Sequence, residues 1–251
     1  MSEKRRLAEF YGGAGYSSQY TKAPRRSVVE KYKLVEKLLW LRKGEVVIDV
    51  GCGNALLFGV CEKIGCRHVA FDVSRVTLKS LPGLRVQGDA ERLPFKKVDV
   101  VVCADVLEHL QEPEKALEEI ARVGKRAIIV VPNWYGLDNV DSVLHYRKLI
   151  TDILGLFGKT PPEYEHINRL LPSQWKRMIE KRFEVERVLG FNYTPSVKFY
   201  QFRFLDKLQE FVSFFEPLFF LIERPLRGLP VFNLLGQEIV FVVRLRNAPK
   251  R

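Results

Sequence analysis

Four carboxylates, Asp49, Asp72, Asp89 and Asp105, stand in or just beyond short apolar runs of the sequence, and a glycine turn follows the first of them. In residues 45–57, EVVIDVGCGNALL, the run Val46, Val47, Ile48, Val50 ends in Gly51-Cys52-Gly53. Continuous Val/Ile closed by glycine predicts a buried parallel strand. Glycines at that turn remove Cβ atoms, so a ligand can approach the backbone closely. Asn54 is a good N-cap residue, and a helix opening there would offer free N–H groups to an anionic ligand. A dinucleotide fingerprint requires a third glycine where Leu56 stands, so that match fails. Asp72 suits the ribose hydroxyls of either NAD or an adenosyl group. Asp49, inside its apolar run, would be costly unpaired. Contact with a cofactor and acceptance of turn N–H groups are equal alternatives for it. Asp72 and Asp89 have an alternative as caps of helices or turns.

Strands and helices must bring these groups together, and the chain alternates them. Arg67–Asp72 predicts a second strand, with Ser74 capping a short helix that stops at Leu81-Pro82-Gly83. A third strand spans residues 84–87 before Gly88-Asp89-Ala90. A fourth spans residues 98–103 before Ala104-Asp105. A helix over residues 114–123, with Pro113 just inside its start, precedes a fifth strand over residues 126–131. This alternation predicts a parallel, doubly wound α/β sheet. Ligands of such sheets sit beyond the strands' carboxyl ends, where all four carboxylates fall.

The chain has 251 residues, 47% of them hydrophobic, enough for one α/β domain. Its net charge of +11 favours polyanionic partners such as nucleic acid or anionic lipid. Residues 1–43 hold eleven Lys/Arg against four Glu. Within them, Val28, Tyr32, Val35, Leu38 and Leu39 have helical spacing, and Lys31, Lys33 and Lys37 are assigned to the solvated face. The four cysteines form no C-x-x-C pair, so no zinc or other metal site is expected. The start, MSEKRRLAEF, has no apolar h-region, and no apolar run is long enough to cross a bilayer. A cytoplasmic location, with no membrane-spanning helix, is therefore expected.

The ordered set EVVIDVGCGNALL, AFDVS, QGDAERLPF and VDVVVCADVLEHL resembles the class I S-adenosylmethionine-dependent methyltransferases, in particular the methyltransferase type 11-like group. The resemblance covers residues 43–132 closely. It implies a Rossmann-like seven-stranded sheet, mostly parallel with an antiparallel last strand, helices on both faces, and S-adenosyl-L-methionine as cofactor. Residue by residue, it implies that Asp49, Gly51, Cys52 and Gly53 surround the methionine part. Asp72 and Val73 take the ribose side, Asp89 and Ala90 the adenine, and Ala104 and Asp105 lie under the cofactor beside the substrate.

The expected organisation is one methyltransferase domain, 1–251. Residues 1–43 form an N-terminal lid or helix and residues 44–132 the cofactor-binding core. Two excursions, 133–172 and 194–236, form a substrate cap. A helix from Pro172 and a sixth strand over residues 183–189 separate the excursions, and a strand over residues 238–245 closes the sheet. His166, His145 and Asp105 are the candidates for moving a proton from the acceptor. Glu108 and His109 read as capping and packing residues. Between Phe211 and Ile222, FVSFFEPLFFLI is too short to span a bilayer, and Lys207, Arg224 and Arg227 flank it. Core, cap, homodimer contact and peripheral contact with an anionic membrane are its alternatives. These features point to a small-molecule or lipid-like hydrophobic acceptor. RNA methylation is the alternative from the basic balance, and a non-catalytic adenosylmethionine-binding module is a third.

Overall fold

The computed structural model describes residues 26–133, 167–192 and 236–246, with residues 218, 221, 222, 225, 229 and 233 described singly. His145 and His166, most of both excursions and most of the 211–222 run lie outside the described residues. The elements run α1 (Arg26–Leu39), β1 (Val46–Val50), α2 (Phe58–Ile64), β2 (Arg67–Asp72), α3 (Arg75–Lys79) and β3 (Leu84–Gln87). There follow β4 (Val98–Ala104), a 3₁₀ turn (Leu107–His109), α4 (Pro113–Val123), β5 (Gly124–Pro132), α5 (Pro172–Glu180), β6 (Phe183–Phe191) and β7 (Glu238–Leu245).

The seven strands form one sheet in the order β3-β2-β1-β4-β5-β7-β6. Pairing is parallel from β3 through β5, and β7 runs antiparallel to both β5 and β6. The order reverses between β1 and β4, so their carboxyl ends flank a crevice. The expected seven-stranded sheet with an antiparallel last strand is therefore present. β5 and β6 run a few residues longer than their apolar runs. Pairing with β4 holds Gly124 in the ladder, and pairing with β7 holds Pro132 and Phe191.

Both sheet faces are buried, which is why the central strands are apolar on both sides. Ile48, Val50, Val101, Cys103, Ile129 and Phe241 face α4 and α5, whose Leu117, Ile120, Trp175 and Ile179 complete that core layer. Val47, Val100, Val102, Ile128 and Val240 face α1 and α2 through Val35, Leu38, Leu57 and Cys61. Leu78 of α3 covers Ala70 on that same side. Pro113 opens α4 as expected. Ser74 Oγ accepts the Thr77 N–H at 3.2 Å to cap α3.

Two local expectations are corrected. Asn54 does not open a helix: α2 begins at Phe58, with Leu57 at its N-cap and no side-chain cap there. The chain first makes two tight turns, Ala55 N–H to Cys52 C=O at 2.7 Å and Phe58 N–H to Ala55 C=O at 2.9 Å, with Ala55 itself at φ 50°. Lys31 is not solvated. It lies on the same stripe as Leu34, Val35 and Leu38, and its residue is 2% exposed. At the other end of α1, Arg126 pairs with both oxygens of Glu45 (3.0 and 2.9 Å) and donates to the Leu39 carbonyl at 3.0 Å. The last turn of α1 is thus tied to β5 by a charge-assisted hydrogen bond.

The turn after β1 depends on one steric fit. Gly51 has φ 68°, and its N–H donates to Phe71 C=O of β2 at 2.8 Å. A Cβ built on Gly51 would stand 2.3 Å from Val106 Cγ2, so the turn after β1 and the segment after β4 touch through the missing methyl. Gly51→Ala is expected to cost about 2–4 kcal/mol, from left-handed strain plus overpacking. In urea melts, a double-mutant cycle with Val106→Ala should return a coupling of about 1–2 kcal/mol. Additive effects would mean that the Val106 contact is not what requires glycine there.

Candidate functional site

The carboxyl ends of β1, β2, β3 and β4 bring the four expected carboxylates to one edge of the sheet, each in a different state. Asp72 closes β2 and is half-buried, and its Oδ1 accepts the Ser74 N–H at 2.8 Å. Burial pushes its carboxyl up, while the N–H groups of Ser74, Gly53 and Val73 pull the other way. Val73 is exposed beside it. Asp89 is exposed, and its Oδ1 accepts the Glu91 N–H at 2.9 Å in a side-chain-capped turn. Ala90 next to it is buried. A Cβ on the adjoining Gly88 would meet the Phe71 ring at 2.7 Å, so this turn lies against β2.

Asp49 is fully buried, and neither carboxyl oxygen has a hydrogen-bond partner. The turn N–H groups of Gly51 and Cys52 donate to the Phe71 carbonyl instead, which removes the turn-acceptor alternative for Asp49. His68 Nε2 lies 3.5 Å from Oδ2, too far for a good hydrogen bond. Burial raises the carboxyl above its ordinary range, and His68 opposes that. Cys52 packs against Ala70 and Leu78 with its thiol pushed up by burial, so the turn presents backbone rather than sulfur.

Beyond β4 the chain turns sharply. Asp105 has φ 55°, and its N–H donates to Val130 C=O at 3.1 Å. The Asp105 carboxylate is paired through Oδ2 with Lys31 Nζ, which also bonds Glu238 Oε1 at 3.1 Å. The Lys31 side chain is 3% exposed, whereas that of Asp105 is 42% exposed. Burial alone would lower the ammonium's pKa, but the Asp105 and Glu238 carboxylates more than offset this and hold it above its ordinary value. Two residues after Val106, Glu108 is 1% exposed and its Oε2 has no hydrogen-bond partner. Burial first, then the Asp105 carboxylate, pushes the Glu108 carboxyl well above its ordinary range, while Lys31 pulls it down. The Leu107–His109 turn is itself clamped. Asn168 Nδ2 donates to the carbonyls of Leu107 (3.0 Å) and Leu110 (2.6 Å), and its N–H donates to that of Glu108 (3.0 Å).

Lys31, Glu238, Val106 and Asn168 escaped the sequence reading as site residues. For Lys31 there was a signal: the spacing 31, 34, 35, 38 puts it on the apolar stripe of α1. For Glu238 and Asn168 there was none, since only the sheet order and the chain's return path bring them to β4. Among the described residues, no group of three or more His, Cys, Asp or Glu is placed to hold a metal ion.

Residues 48–130 match the profile of a family described as "Methyltransferase domain". The chain is an S-adenosylmethionine-dependent methyltransferase. The "Ubiquinone biosynthesis O-methyltransferase" of Nitrosospira multiformis is 26% identical over 174 residues, 62% of this chain and 70% of that protein. The "tRNA (carboxymethyluridine(34)-5-O)-methyltransferase" of Arabidopsis thaliana is 33% identical over 115 residues, 41% of this chain and 27% of that protein. The fold is shared with a SAM-dependent methyltransferase from Archaeoglobus fulgidus at a TM-score of 0.52 and 16% identity, covering 97% of this chain and 100% of that one. The site fits the cofactor on two structural counts. Asp72 closes its strand with a half-buried carboxylate, and Asp105 presents a partly exposed one across the crevice.

Lys31→Met would leave the carboxylates of Asp105 and Glu238 without their cation. Because Asp105 is partly exposed, a loss near the lower end of the range for broken buried pairs is expected, about 3 kcal/mol at neutral pH. The sign follows from linkage. In the wild type, the raised ammonium contributes stability that is fully present below its ordinary value and is lost as pH rises through its higher folded-state value. In the variant, the carboxylates left without their cation are relieved by protonation, so its deficit should shrink as pH falls. Denaturant melts across pH check this, and a pH-independent deficit would place the effect in lost packing alone.

Proposed function

We propose that this methyltransferase places the methyl group of S-adenosylmethionine on an oxygen of a hydrophobic, lipid-like small molecule. The observation that carries the acceptor class is an exposed apolar surface. Leu218, Leu221 and Ile222 are helical and share the i, i+3, i+4 spacing of one helix face. They are 51%, 59% and 52% exposed, respectively. Leu229, nearby in sequence, is exposed as well. Arg224 and Arg227 follow this face in the sequence, and basic residues beside an apolar stripe suit an anionic lipid surface. The relationship to an enzyme named for ubiquinone biosynthesis is consistent with such an acceptor and supports oxygen as the accepting atom.

In this proposal the Gly51-Cys52-Gly53 turn lies beside the methionine part of the cofactor. Asp72 accepts the ribose hydroxyls with Val73 beside it, and Asp89 with the backbone of Ala90 reads the adenine amine. The bound cofactor supplies an electrophilic methyl group. The chain's own task is to align the acceptor and exclude water, a proximity effect that reaches roughly 7–11 kcal/mol in ideal intramolecular cases. Asp105, held by Lys31 through one oxygen, suits a fixed hydrogen-bond acceptor that orients a hydroxyl. In this reading it orients the acceptor instead of taking its proton, the role expected of it from sequence.

Calorimetric titration with adenosylmethionine, adenosylhomocysteine and NAD tests the cofactor assignment. Both adenosyl ligands should bind, and Asp72→Ala should weaken them by about 1–3 kcal/mol, the worth of charge-assisted hydrogen bonds. Unchanged affinity would return Asp72 to a capping role. The acceptor side is tested by sedimentation with anionic liposomes. Wild type should pellet at low salt, whereas Leu221→Glu/Ile222→Glu should stay in the supernatant and still bind adenosylhomocysteine. Wild type remaining in the supernatant would remove the membrane surface from the proposal. The relative named for tRNA and the net charge of +11 support RNA as a second acceptor class. Nucleic acid that co-purifies and is released by moderate salt would favour it.

A further inference from the structure

A buried carboxyl with no cation of its own must hold a proton, because an isolated charge is too costly to desolvate. Glu108 is in that position. Oε2 is unpartnered, the residue is 1% exposed, and the nearby ammonium of Lys31 is already bonded to Asp105 and Glu238. The charged and titratable groups that face it come from every neighbouring element. They are Lys31 from α1, the buried Cys103 thiol within β4 and Asp105 just beyond it, Glu238 at the start of β7, and His109 on its own turn. His109 Nε2 lies 3.8 Å from Glu108 Oε1, beyond hydrogen-bond distance. Counting Glu108 as neutral, the group carries one ammonium against two carboxylates and is already negative by one charge. The turn bearing Glu108 follows Val106, whose methyl fills the space over Gly51, so Glu108 sits beside the proposed methionine end of the cofactor site. Asn168 clamps its backbone there from the far side.

Resting on the methyltransferase assignment, we propose that Glu108 is a proton-holding residue switched by the cofactor's own charge. It is neutral in the free protein, loses its proton when the cationic sulfonium binds, and regains one as the methyl group leaves. The balance closes. Binding of the cation releases a proton from Glu108 to solvent. In transfer, the acceptor's O–C bond forms as the S–C bond breaks and the acceptor's hydroxyl proton leaves to solvent, from which Glu108 takes one back as the positive charge disappears. The products are a methyl ether, a neutral thioether and the protonated carboxyl of the free protein. Glu108 is therefore ionised only while there is a methyl group to transfer. In general, a unit positive charge about 8 Å from a carboxyl, at an effective dielectric of about 20, shifts its proton equilibrium by roughly thirty-fold towards the ionised form.

The test needs no acceptor. Calorimetry in buffers of different ionisation enthalpy counts protons exchanged on binding. Wild type at neutral pH should release about one proton more with adenosylmethionine than with adenosylhomocysteine. Glu108→Gln, nearly isosteric, should bind both ligands and lose that difference, while His109→Gln should keep it. As a second readout, the infrared neutral-carboxyl carbonyl stretch that free wild type shows and free Glu108→Gln lacks should vanish from wild type on adding adenosylmethionine. Equal proton counts for the two ligands, or a difference that survives in Glu108→Gln, would overturn the proposal while leaving the methyltransferase assignment intact. Failure of both ligands to bind wild type would instead overturn that assignment.

Discussion

The contact on which the rest of this site depends is the buried ammonium of Lys31. It leaves α1, crosses the apolar layer between that helix and the sheet, and meets Asp105 at the end of β4 and Glu238 at the start of β7. Without the cation, two carboxylates from strands on either side of β5 would face each other unneutralised. With it, three elements far apart in sequence are fixed at one point. Helix α1 is thus a structural wall of the site, and the Arg126 guanidinium holds its other end through the Leu39 carbonyl.

The second constraint is steric. Gly51 and Val106 share a space that a single added methyl group would overfill, so the turns after β1 and β4 have one relative placement. Around that contact the carboxylates sort by environment. Asp72 and Asp105 remain partly accessible, Asp89 is tied into its own turn, and Asp49 and Glu108 are enclosed with burial driving both towards the neutral form. Asp49 has His68 beside it as a local counterpart, whereas the cation nearest to Glu108 is committed to other groups. One type of side chain therefore provides ligand acceptors, a structural turn and neutral buried acids within the same edge of the sheet.

The exposed Leu218, Leu221 and Ile222 contrast with the apolar interior of the sheet. They are as hydrophobic as the core residues, yet they face outward. Apolar side chains held in water are unfavourable unless a partner or an apolar phase covers them. This imbalance links the acceptor's chemistry to the surface where it would be met. Among the described residues no helix is long and apolar enough to cross a membrane, so the contact in the proposal is with a bilayer's surface.

Much of the fold was legible in the sequence because continuous apolar runs, glycine turns and proline at a helix start are local signals. β1, β2, β3 and β7 lie where those runs predict, Ser74 caps α3, and Pro113 opens α4. The alternation of strand and helix also implied the parallel sheet, and hence the edge at which the four aspartates gather. What tertiary structure alone decided was the state of each charged group. Lys31 looked like one more solvated lysine, although its spacing matched the apolar stripe. Asn54 looked like a helix cap until the turn behind it required two more reversals. Glu238, Asn168 and the enclosure of Glu108 left no trace in the sequence. Their partners lie 58–207 residues away along the chain, and burial and ion pairing depend on which elements meet in space rather than on which residues adjoin.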